Sequence, residues 1–131
     1  MNNCHFQAYH NDFLSASTCN PQNTGGMVNF NQNTISNTCN LCMKNDHLFI
    51  HQAGYYFITY QLQVQNCGCE QNLSAYLCLN GCKLDASVAS SNCDQLTNTL
   101  IIYCEANSVI TLNTCGEHFK VCNASLNIFK L

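Results

Sequence analysis

From residue 27 onward, apolar-rich runs of four to ten residues alternate with breaks rich in Asn, Gly and Cys. Alternation with period two, bounded by turn residues, is the signature of β-strands. The pattern predicts strands over 27–30, 48–51, 55–64, 74–79, 83–88, 96–104, 108–112, 119–122 and 124–131. No stretch carries a long helical period with caps, and no internal repeat is visible. Short strands at even spacing point to an antiparallel sandwich or jelly roll. Residues 1–26 differ: three aromatics precede position 14, and Asn20-Pro21-Gln22-Asn23-Thr24-Gly25-Gly26 reads as a turn or linker. The chain therefore divides into an N-terminal arm, 1–26, and an all-β domain, 27–131.

Three strands carry apolar residues on both faces. In 55–64, Tyr56, Ile58, Tyr60, Leu62 and Val64 form one face, while the other begins Tyr55, Phe57 before turning polar. In 96–104 the second face ends in Ile101 and Tyr103, and in the last strand it carries Phe129 and Leu131. A two-sheet sandwich needs one apolar face per strand. The surplus residues Tyr55, Phe57, Ile101, Tyr103, Phe129 and Leu131 are expected at a contact with another subunit. Coverage by loops or by the arm is the alternative.

Composition narrows the function. Charged residues are 8% of the chain, with four Lys, no Arg and a formal net charge of -3. That gives no electrostatic footprint for nucleic acid or an anionic membrane. Polarity comes from 20 Asn and 9 Gln, which hydrogen-bond but do not repel neighbouring molecules. No apolar run approaches the ~18 residues of a membrane span. Met1-Asn2-Asn3-Cys4-His5-Phe6 lacks the basic and apolar regions of a secretory signal. There is no nucleophile elbow, phosphate loop, paired-carboxylate motif or cofactor motif, so no catalytic residue is expected.

The twelve cysteines are the main chemical feature. Cys39-Asn40-Leu41-Cys42 with Cys67-Gly68-Cys69 would give a four-thiolate zinc site; the first pair has usual zinc spacing, the second does not. His47 and His51 are four apart, which suits a helix, but a strand is predicted there. Disulfides are the reading that the cysteine density favours, in an oxidising setting reached by a removed signal or by lysis of the producing cell. Cys82 with Cys93, and Cys115 with Cys122 across an expected hairpin, are candidates for local bridges. Cys4 and Cys19, in the arm, have no local partner and are candidates for bonds between molecules. The arm would then dock through Phe6, Tyr9, Phe13 and Leu14 on a neighbour, or else fold back on its own domain. His5, His10 and His118 read as solvated polar residues. Asn72-Leu73-Ser74 and Asn123-Ala124-Ser125 match the glycan acceptor pattern, which arises readily by chance in an Asn-rich chain.

Ala53-Gly54-Tyr55-Tyr56-Phe57-Ile58-Thr59-Tyr60, preceded by Val28-Asn29-Phe30-Asn31, resembles a family motif. Leu77-Cys78-Leu79-Asn80-Gly81, Asn107-Ser108-Val109-Ile110-Thr111-Leu112 and Ala124-Ser125-Leu126-Asn127-Ile128-Phe129-Lys130-Leu131 follow in the matching order. Over 27–131 the chain resembles the complement and tumour-necrosis-factor-like jelly roll, most of all the C-terminal domains of collagen-like glycoproteins of the bacterial spore surface, the exosporium. It departs in having no Gly-X-Y stalk, in Ala106-Asn107 where a Gly-Asp turn is usual, and in its many cysteines. The resemblance implies a sandwich of about ten antiparallel strands and a homotrimer. Together with the cysteines it implies a structural, self-assembling subunit of a spore surface layer or appendage, cross-linked by disulfides. A trimeric lectin-like or receptor-binding head is the alternative.

Overall fold

The computed structural model describes residues 12–23, 25–30, 34–66, 73–91, 95–116 and 119–131. Twelve strands follow in order: β1 (Phe13–Thr18), β2 (Gln22–Asn23), β3 (Thr34–Ser36), β4 (Leu41–Lys44), β5 (His47–Ile50), β6 (Gly54–Asn66), β7 (Leu73–Leu79), β8 (Cys82–Lys83), β9 (Ala89–Ser91), β10 (Gln95–Cys104), β11 (Ser108–Cys115) and β12 (Phe119–Lys130). A 3-10 turn, Asp85–Ser87, joins β8 to β9.

They form two antiparallel sheets. The first runs β10-β6-β12-β1-β3, with β2 also on β12; the second runs β4-β5-β11-β7-β8, with β9 also on β7. From β9 onward the chain passes from one sheet to the other at each connection, giving the jelly-roll sandwich. Even-numbered residues of β6 (Tyr56, Ile58, Tyr60, Leu62, Val64) face inward and are buried, as are Leu48, Ile50, Leu73, Leu77, Ile110 and Leu112 of the opposing sheet.

Two tyrosines within this core need partners for their hydroxyls. The Tyr60 hydroxyl reaches the carbonyls of Ala75 (3.1 Å) and Ser87. Burial pushes the Tyr60 pKa up to about 12. The Tyr56 hydroxyl donates to the Gln52 carbonyl at 2.7 Å and accepts from Asn40 Nδ2 at 2.8 Å. Asn40, itself buried, also donates to Asp12 Oδ2 (3.0 Å), and its Oδ1 accepts from the backbone N–H groups of His51 (3.1 Å) and Gln52 (2.7 Å). One amide thus ties the start of β1 to the β5–β6 connection.

The turns explain themselves through asparagine. Asn80-Gly81 between β7 and β8 has φ of 53° and 84°, the left-handed pair a tight hairpin needs. Asn107 (φ 62°) supplies the positive φ in the Ala106-Asn107 turn where glycine is absent.

Several expectations are corrected. Residues 13–23 belong to the sandwich, not to an arm: β1 pairs with β12 over six residues, Phe13↔Phe129 through Thr18↔Ala124, and with β3 on its other side. Its inward residues are Leu14, Ala16 and Thr18, so only two apolar side chains carry the alternation that marks it. Residues 27–30 form an extended segment with one bridge, Met27↔Asn113, rather than a strand, although Val28 and Phe30 are buried. The expected strand 83–88 is cut short by the 3-10 turn. Residues 119–122 and 124–131 are one strand, β12, with a bulge between Val121 and Asn123 that resets its alternation. The hairpin expected around Cys115 and Cys122 is absent: β11 and β12 are successive but lie in different sheets.

Candidate self-association face

Register sets the outward face of the first sheet row by row. Tyr103 of β10 stands opposite Tyr55 of β6, and Ile101 opposite Phe57, which in turn stands opposite Phe129 of β12 and through it Phe13 of β1. Leu131 joins the upper row, its N–H bonded to the Tyr55 carbonyl at 2.9 Å. The Tyr55 and Tyr103 rings meet edge to face with centroids 5.2 Å apart, and Phe57 and Phe129 lie 5.7 Å apart. These neighbours preorganise one another, yet Tyr55, Ile101, Tyr103, Phe129 and Leu131 remain between 41% and 60% exposed in the single chain. Phe57 is half-buried between them. All six residues expected at a subunit contact therefore fall on one continuous patch. Ile35, on β3 at the sheet's other edge, is also exposed at 68%; nothing in its pattern had singled it out.

Below the aromatic rows the face turns polar, and its first charge comes only at Lys120, opposite Gln65. The next row holds Thr99, Thr59, Asn127 and Ser15, with Thr99 Oγ1 donating to Thr59 Oγ1 at 3.0 Å. Gln61, Gln63, Asn123, Ser17 and Ser125 follow, and with Cys19 they line an open depression of about 370 Å³. Among the described residues, no Lys, Asp or Glu stands in these rows. Covering these rows desolvates hydroxyls and amides, which can re-pair, but no charge.

The cysteines separate by position. Cys104 is buried in the core, and desolvation pushes its pKa up to about 11. Cys19, Cys42, Cys78, Cys82, Cys115 and Cys122 are free thiols, exposed or partly so. Cys39 is disulfide-bonded. The bridge expected between Cys115 and Cys122 is not formed: both thiols are free, on strands of opposite sheets. Cys82 is likewise free, while its expected partner Cys93 lies outside the described residues, as do Cys4, Cys67 and Cys69. The four-thiolate zinc reading loses a ligand, because the Cys39 sulfur is engaged in its disulfide. Among the described residues no three His, Cys, Asp or Glu side chains gather as a metal site. His47 Nδ1 lies 2.7 Å from the Asn45 carbonyl and the ring stacks on Phe49. The Asn40 network had no signature in the sequence, since its members lie far apart along the chain and follow no motif.

The jelly-roll sandwich and its strand order place the chain in the complement and tumour-necrosis-factor-like fold class. Murine APRIL at pH 8.0 superposes with a TM-score of 0.72 at 10% identity, covering 93% of this chain and 100% of that one. The globular domain of the zebrafish complement 1qA protein gives 0.70 at 10% identity, over 92% and 97%. GITRL from bushbaby gives 0.66 at 17% identity, over 93% and 95%. No curated protein matches the chain in sequence. The family of the BclA C-terminal domain matches residues 15–131, and the chain belongs to it. That domain is known from exosporium glycoproteins. Its match begins inside β1, in agreement with the place of that strand in the sheet.

Proposed function

We propose that this protein is a structural, self-assembling subunit of a bacterial spore surface layer or appendage. Subunits associate as homotrimers through the outward face of the β10-β6-β12-β1-β3 sheet, and disulfides between molecules secure the larger assembly. The observation that carries this reading is the outward face capped by Tyr55, Phe57, Ile101, Tyr103, Phe129 and Leu131, whose rows from there down to Gln63 and Asn123 hold no charge. A patch of exposed aromatic and aliphatic side chains without a charge is costly in water and inexpensive to cover. Membership of the exosporium domain family and the fold it shares with complement-type domains support the spore surface and the trimer. Free thiols on the surface supply the means of cross-linking once the surroundings become oxidising. No side chain is given a catalytic role.

Electrophoresis of the purified full chain with and without reductant, beside sedimentation in reductant, tests the proposal. A trimer in reductant, and a heat-resistant ladder without it that collapses to the 14.6 kDa chain on reduction, is the expected result. A soluble monomer or trimer with no reductant-sensitive species would instead favour a binding head. Loss of the trimer would remove the association face from the account.

A further inference from the structure

The free thiols are not scattered evenly over the second sheet. Cys42, Cys78 and Cys115 all stand on its outward face, on β4, β7 and β11. Their registers are fixed: Cys42 lies opposite Phe49, itself opposite Val109, while Cys78 lies opposite Thr111 and Cys115 opposite Ser74. With strands about 4.8 Å apart and a rise of about 3.4 Å per residue, Cys78 and Cys115 are about 14 Å apart, Cys42 and Cys78 about 16 Å, and Cys42 and Cys115 about 22 Å. A disulfide needs Cα atoms within about 7 Å. No two of the three can pair within one chain without breaking the sheet. Cys82 is close to Cys78 in register, next to its partner Lys83, but the alternation turns it to the opposite side. Cys104 is enclosed in the core, Cys122 belongs to the other sheet, and Cys19 lies just past the end of β1 on that sheet.

We infer that the outward face of the β4-β5-β11-β7-β8 sheet is a covalent docking surface for other copies of this chain, joined through Cys42, Cys78 and Cys115. This rests on the proposed assembly through the first sheet, which leaves the second sheet as the face each assembled unit presents to its neighbours. A second copy is the fitting occupant on two grounds. The partner must itself display thiols, which this chain does on the same face. The face is lightly charged: Phe49, Val109, Thr111 and Asn113 are uncharged, the Lys83 ammonium sits 4.7 Å over the Tyr76 ring, and the exposed Lys44 stands at the β4 edge, opposite His47. Each link forms when a thiol of one copy and a thiol of another give one S–S bond, releasing two protons and two electrons in all, the first proton as the attacking thiol ionises. The electrons pass to molecular oxygen, or to a low-molecular-weight disulfide that leaves as two thiols.

The test uses the full chain prepared in two isotopic forms, mixed in reductant and then oxidised with a low-molecular-weight disulfide. Peptide mass spectrometry separates links between chains, which give hybrid masses, from links within a chain. Hybrid cross-linked peptides containing residues 42, 78 or 115 are expected. A triple variant, C42S/C78S/C115S, is expected to keep the parent's mass in reductant and to lose the species above the trimer when oxidised. The inference is overturned if the three cysteines occur only in links within one chain, for example to Cys4, Cys67, Cys69 or Cys93, or if the triple variant gives the parent's ladder. A parent that is monomeric in reductant contradicts the trimer instead, and the hybrid peptides still decide the thiol face.

Discussion

Replacing Ile101 by Asp places a carboxylate in the middle of the aromatic rows, where its effect on the single chain and on the assembly separate cleanly. Ile101 is 58% exposed, so in the isolated subunit the new side chain reaches water and the fold loses little. At a subunit contact two costs add. The unburied share of an isoleucine is worth about 1–2 kcal/mol, taken as roughly half of a full burial of about 1.5–3 kcal/mol. An unpaired carboxylate removed from water adds several kcal/mol more, since the facing rows hold no Lys among the described residues. A total near 4 kcal/mol per contact weakens association by about a thousandfold, at 1.4 kcal/mol per factor of ten. Sedimentation velocity in excess reductant, from low to high protein concentration, reads this directly. Ile101→Asp is expected to run as a monomer where the parent runs as a trimer, with an unchanged circular dichroism spectrum. Thr111→Asp, on the outward face of the other sheet, serves as the control and is expected to leave the mass in reductant unchanged. Equal masses for parent and Ile101→Asp at every concentration would refute the reasoning.

Other outcomes follow from the core. Asn40→Ala removes the donor to the Tyr56 hydroxyl and the Asp12 carboxylate and the acceptor of the Gln52 N–H, while the His51 N–H keeps the residue-40 carbonyl at 2.9 Å; it is expected to cost about 3 kcal/mol in urea unfolding of the reduced chain. The Tyr60 pKa lies above its unfolded value of 10, so its contribution to stability is whole below pH 10 and is lost as pH rises through about 12; urea midpoints taken from pH 9 to 12 should fall for the parent and fall less for Tyr60→Phe. With its pKa pushed to about 11, Cys104 has little thiolate at pH 8; maleimide labelling followed by mass spectrometry should modify Cys42, Cys82 and Cys115 well before it, and early labelling of Cys104 would contradict its burial. His47→Ala is expected to leave both the trimer and the reductant-sensitive ladder intact.

The parts of the fold that were legible were those with long alternation. Tyr56 through Val64 and the run ending at Cys104 each carry enough apolar residues at period two to mark a strand, and the apolar surplus on the second face follows from the same parity. That is why the six apolar residues on the outward face of the first sheet could be named from the chain alone. β1 was hidden because Leu14 and Ala16 are its only inward apolar residues and the punctuation after Asn20 draws the boundary too late. The bulge in β12 was visible only as a phase break, which divided one strand into two. The Cys115 and Cys122 pairing failed because proximity along the chain says nothing about which sheet each strand enters. The shared face of Cys42, Cys78 and Cys115 depends on register between three strands, and no single segment contains that information. Asn40, the hub of the polar network, is one of twenty asparagines and nothing local distinguishes it.

The most direct test of the central claim is a structure of the assembled protein by electron cryo-microscopy, from the full chain allowed to oxidise. The expected result is an ordered fibre or lattice of threefold units, with the side chains of Tyr55, Phe57, Ile101, Tyr103, Phe129 and Leu131 buried between subunits. Isolated monomers, or an assembly in which that face is turned to solvent, would contradict it.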